Sequence, residues 1–117
     1  MKPRDTKQAN HTAPITDELQ VGVLQDGATI VSAVVVRWEL DYVKGAKGFW
    51  MNENRIAGHY FACSFAIAHN GKPYMHRPPA QHAFKSERAR ESFVRKKIRI
   101  AQKRYGARAS DWIKVAQ

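Results

Sequence analysis

Ten lysines and arginines fall between Lys85 and Arg108, against two acids, Glu87 and Glu91. The rest of the chain carries ten basic and eight acidic residues, so one segment holds +8 of a formal +10. Ammonium and guanidinium groups in a row neutralise phosphates and release condensed counterions, and a guanidinium can grip one phosphate through two hydrogen bonds. An ordinary solvated charge run mixes both signs; ten to two instead points to a polyanion or an acidic surface as partner. The candidate contacts are Arg88, Arg95, Lys96, Arg99, Lys103 and Arg108. A second group, Lys44, Lys47 and Arg55 around Trp50, combines cations with an aromatic ring on which a base could stack, and Tyr60 and Tyr74 belong to the same half of the chain.

Other chemistry is weaker. His59 and Cys63 share a strand face, but at strand rise they stand roughly 13 Å apart, too far to ligate one ion. Glu39 and Asp41 sit two apart on one strand face, a spacing that serves Mg²⁺ in nucleases, yet the lysine that should follow is out of register. Exposed strand polars are the simpler expectation for Glu39 and Asp41. No glycine-rich phosphate loop, nucleophile elbow or cysteine with an evident base is present in the sequence. No enzyme, metal or cofactor is expected.

The elements that must position these groups follow from periodicity. Residues 1–18 are polar, contain Pro3 and Pro14 and lack periodicity, and are expected to form a flexible arm ahead of a single domain, 19–117. Leu19, Val21 and Val23 alternate with polar residues or glycine, and Asp26-Gly27 supplies a hairpin turn. The next strand, Thr29 to Val43, is apolar on both faces in its first half and should be central; its second half should expose Arg37, Glu39 and Asp41. Gly58 to Ala68 forms another strand, Asn70-Gly71 a tight turn, and Lys72 to His76 a return edge strand carrying Pro73. A helix follows, capped by Ser86 and closed by Gly106. Along it, Val94, Ile98, Ala101 and Tyr105 make one apolar stripe and Ala89, Phe93 and Ile100 a second, with Arg90, Lys97 and Arg104 between them. Ser110 would cap a short last helix, Asp111 to Ala116. Trp38 and Trp112 are expected in the core.

From Gly48 to Gly106, about half the chain, the sequence resembles the AP2 or integrase-type DNA-binding pattern. The resemblance is carried by a strand ending in Asn70-Gly71-Lys72, a return strand, and Phe84-Lys85-Ser86-Glu87-Arg88-Ala89 opening a helix that closes at Tyr105-Gly106. It implies a three-stranded antiparallel sheet laid in the DNA major groove and backed by the helix, with Arg55, His59, Lys72, Tyr74 and Arg77 touching bases or phosphates. The chain departs from that pattern in its longer His76 to His82 step and its additional hairpin, Leu19 to Val43. The charge distribution instead places the helix itself on the nucleic acid.

The expected architecture is α+β: an antiparallel sheet of four or five strands, one long C-terminal helix packed on it, and a short terminal helix. The expected function is non-enzymatic nucleic-acid binding, DNA or RNA. The alternative is a small inhibitor or adaptor, of the kind phages and plasmids carry, docking on an acidic or nucleic-acid-binding surface of a larger host complex. A lone cysteine, the absence of an apolar leader and the absence of an apolar run long enough to span a bilayer give a cytoplasmic expectation with no membrane partner.

Overall fold

A computed structural model of the chain describes residues 10–43, 56–73, 79–106 and 113–115. Its elements in chain order are β1 (Asn10–His11), β2 (Ile15–Val23), β3 (Ile30–Tyr42), β4 (Gly58–His69), β5 (Lys72–Pro73), β6 (Gln81–Phe84), α1 (Glu87–Tyr105) and β7 (Ile113–Val115). The sheet is antiparallel and ordered β5-β4-β3-β2-β7, with β1 continuing the β2 side of β3 and β6 lying with β5 on the outer side of β4. The long helix packs on one face, giving the expected α+β class. No helix among the described residues is long and apolar enough to cross a membrane.

β3 is the centre of the sheet because its first half is apolar on both sides. Val31, Ala33 and Val35 point at the helix and are fully buried, where they meet Leu19 and Val21 of β2, Cys63 of β4, and Val94, Ile98 and Ala101 of α1. A second cluster forms on the far face at the other end of the sheet, from Trp38, Leu40, Tyr42, Tyr60, Ala62 and Ala83. Trp38 is thus a core residue, while Trp112 lies outside the described residues.

Two turns set the register. Asn70 and Gly71 both take positive φ, 53° and 80°, as a hairpin whose twist matches its strands requires. The Asn70 side chain and amide also clasp Ile30, its Oδ1 accepting from Ile30 N and its own N donating to Ile30 O, each at 2.8 Å. The turn at Asp26-Gly27 is longer than a two-residue hairpin: the Asp26 carboxylate accepts from the amides of Ala28 and Thr29 and from the Thr29 hydroxyl.

Several boundaries differ from the sequence expectations. β2 starts at Ile15, inside the expected arm, because Thr16 and Asp17 are buried opposite Val36 and Val35 of β3; residues 1–9 lie outside the described residues. The expected short helix at Asp111–Ala116 is contradicted at Ile113–Val115, which pair as a strand with Thr16–Glu18 of β2. An open sheet edge offers ladder partners to the backbone groups that face it, whereas a six-residue helix gains few hydrogen bonds against the cost of its nucleation. β6 occupies the stretch expected to be a mere connector, pairing with Phe61–Ser64 at the sheet edge. The return strand is described only at Lys72–Pro73, residues 74–78 lying outside the described residues.

Candidate functional site

α1 brings together the basic residues singled out in the sequence. Ser86 caps it, its hydroxyl accepting from Ala89 N at 3.1 Å, and the Gly106 amide closes it on Gln102 O at 2.8 Å. Gly106 has φ 114°, a glycine-favoured conformation outside the left-handed helical region. Arg88, Arg95, Lys96, Arg99 and Lys103 are all exposed on the side turned away from the sheet. Fifteen residues separate the first from the last, about 22 Å along the axis. Among the described residues none of these five pairs with an acid. Arg108, Lys44, Lys47, Trp50 and Arg55 lie outside the described residues.

The two acids of the helix serve elsewhere. Glu91 faces the sheet, where its carboxylate accepts from Arg37 Nε at 2.9 Å and Nη2 at 2.8 Å and from Arg90 Nε at 2.9 Å. Arg37 also donates from Nη1 to Asp17 Oδ2 at 2.5 Å. Arg37 is therefore not the exposed strand residue that alternation predicted: α1 covers it, leaving 16 % of its side chain exposed. Burial alone would raise the Glu91 pKa, but hydrogen bonds and charge from Arg37 and Arg90 outweigh it and hold the carboxyl below its ordinary value. The same pairing with Glu91 and Asp17 raises the Arg37 pKa despite its desolvation.

Arg90 is 6 % exposed and belongs to the apolar stripe by position. Its guanidinium donates to Trp38 O at 3.2 Å, pairs with Glu91, and lies 3.5 Å from a carboxylate oxygen of Glu87. From this buried place its Nη1 also reaches Ala62 O at 3.5 Å. The expected second apolar stripe is not core: Ala89 and Ile100 are exposed, Ile100 at 53 %, and Phe93 is half-buried against His82 and Phe84 of β6. β6 fills the sheet edge beneath Phe93, and nothing among the described residues covers Ile100.

Past the helix N-terminus, the same sheet face carries His59 between two carboxylates. Nδ1 lies 2.7 Å from Asp41 Oδ1 and Nε2 2.7 Å from Glu39 Oε1. These hydrogen bonds, that to Asp41 first, raise the His59 pKa. Glu39 and Asp41 remain exposed strand polars, as expected, but with a partner that strand spacing alone did not identify. Among the described residues no group of three or more histidine, cysteine or acidic side chains is arranged to hold a metal ion. Cys63 is fully buried, and burial pushes its thiol up to about 11, so it is a core side chain without nucleophilic character.

Tyr60, expected as a stacking surface, is 2 % exposed and donates its hydroxyl to Ile56 O, so it is unavailable to a base. Of the contacts implied by the AP2-type resemblance, His59 faces the helix side of the sheet and is held by acids, and Lys72 is exposed on β5. Arg55, Tyr74 and Arg77 lie outside the described residues. The opposite sheet face presents Val34, Val36, Trp38 and Leu40 from β3, with no cation from β2, β3 or β4. Comparison with protein-family models, curated proteins and solved structures returns no match. The functional reading accordingly rests on the geometry of this chain.

Proposed function

We propose that the protein is a non-catalytic nucleic-acid-binding protein that contacts the phosphate backbone through the outer face of α1. The observation that carries this reading is the exposed row Arg88, Arg95, Lys96, Arg99 and Lys103, with Glu91 turned inward onto Arg37 and Arg90. Five of the segment's cations thus face solvent, while Arg90 and one of its two acids, Glu91, face the sheet. A rigid helix holds five charges at fixed spacing, so little ordering entropy is lost when a polyanion settles on them. The single buried cysteine suits a cytoplasmic protein.

Replacing Arg88, Arg95 and Arg99 together by glutamate tests the reading. Binding of generic nucleic acid, measured by fluorescence anisotropy, is expected to disappear. The melting temperature should change little, since exposed substitutions usually alter stability by less than about 0.5 kcal/mol. Unchanged binding would remove α1 as the contact surface. If the protein purifies free of nucleic acid and captures one specific acidic protein through the same three arginines, the inhibitor or adaptor reading replaces it.

A further inference from the structure

The flank of α1 that faces the outer edge of β4 is built differently from the rest of the helix. Going round the helix from the exposed cations, Lys96 is followed by Ile100 and Phe93, and these by Arg104 and Lys97, before the buried stripe begins. Beneath this flank, two adjoining recesses of about 420 and 160 Å³ share Phe65, Ile67, Arg104 and Tyr105. β6 pairs with β4 only as far as Ser64 and β5 only from Ala68, so the recesses sit where no described strand covers Phe65 to Ile67. Aromatic rings bracket the groove: Phe93 against His82 and Phe84 at one end, and Tyr105 with His69, 6.2 Å between centroids, at the other. Lys97 Nζ lies 5.5 Å from the Phe93 ring centroid and the Arg104 guanidinium 5.4 Å from that of Tyr105. Among the described residues no carboxylate lines either recess.

We infer that this groove takes the unpaired bases of a single-stranded nucleic acid while the cations on either side of it hold the phosphates. The inference rests on the proposed function and narrows it from nucleic acid in general to single strands. A duplex offers a basic helix its phosphates and groove edges but keeps its base faces stacked on one another, so it leaves an apolar groove beside that helix empty. A single strand offers both charge and free base faces, and bases stack on aromatic and guanidinium planes whatever their sequence. Charge complementarity selects this occupant over an apolar peptide, because Lys97 and Arg104 line the groove with no acid beside them among the described residues. Ile100 and Arg104 are exposed, so changing them should leave the fold intact.

The test compares a labelled oligothymidylate strand, an RNA strand and a hairpin duplex of matched length, by anisotropy, on the full chain and on Ile100→Ser, Arg104→Ser and Arg99→Glu. The wild type should prefer either single strand over the duplex. Ile100→Ser and Arg104→Ser should each weaken single-strand binding about tenfold, with duplex affinity nearly unchanged, in line with the loss of one stacked base. Arg99→Glu should weaken all three. Equal wild-type affinity for strand and duplex, or groove variants that affect neither or both alike, would overturn the groove inference and leave the proposed function standing. Failure to bind any nucleic acid would end both. Binding of an acidic amphipathic peptide but not of the strands would also overturn the inference and assign the groove to a protein partner.

Discussion

Glu91 joins the helix to the sheet by charge. Its one carboxylate accepts from both Arg37 and Arg90, so removing it takes a shared anion from two cations whose side chains are 16 % and 7 % exposed. Glu91→Ala is expected to cost about 2 kcal/mol in urea unfolding, below the roughly 3 to 5 of a fully buried pair because 29 % of the Glu91 side chain still meets water. The pH dependence follows from its lowered pKa: the stabilisation is present above the ordinary glutamate value and is lost as pH falls through the lower, folded one. Glu91→Gln should remove that acid-side loss. His59 behaves in the opposite sense. Its pKa is raised, so the contribution of its pairs with Asp41 and Glu39 is complete below the ordinary histidine value and disappears as pH rises through the folded one. Melting temperatures measured across that interval should fall with pH in the wild type, and this component should vanish in His59→Gln. The Arg37–Glu91 and His59–Asp41 partnerships were not legible in the sequence, since 54 and 18 residues separate the partners and only the register and helix placement join them.

At the level of elements, the C-terminus of α1 rests on the backbone of β2. A bulge between Gln20 and Gly22 turns Val21 fully inward, and a Cβ at Gly22 would lie 2.1 Å from Tyr105 O. The neighbour there is helix backbone, so it cannot swing aside. Gly22→Ala should destabilise by about 1 to 3 kcal/mol in denaturant unfolding, through displacement of the last helical turn. An unchanged midpoint would mean the helix end is not seated there. The helix itself was readable from Ser86 to Gly106 because cap, period and closing glycine agree, and β3 and β4 were readable because β-branched and aromatic residues fill long runs between turn signals. β6 and β7 were not. Each is four residues or fewer, too short for a period to register, and forms because a neighbouring strand edge is open to it. The second apolar stripe failed for a related reason: spacing identifies a face but not whether a strand lies under all of it, and β6 reaches Phe93 but leaves Ile100 in solvent.

For the whole molecule, a net charge of +10 must be held by a domain whose acids are few and, at Glu91, Asp17, Glu39 and Asp41, already paired. Such a surface repels itself until a polyanion neutralises it. Among the described residues, α1 covers one face of the sheet and turns five cations outward over a rigid span. The concentration of charge in this segment was legible by counting, whereas the groove beside it depends on how β5 and β6 divide the outer side of β4. Phosphate contact by these cations, the proposed function, is tested by the affinity for a single-stranded oligonucleotide as a function of salt. Five phosphate contacts predict a linear fall of log K with log salt of slope about −3.5, roughly 0.7 for each contact on a single strand. The glutamate triple variant at positions 88, 95 and 99 should lose most of that slope along with its affinity. A wild-type slope near zero would exclude phosphate contact by these cations.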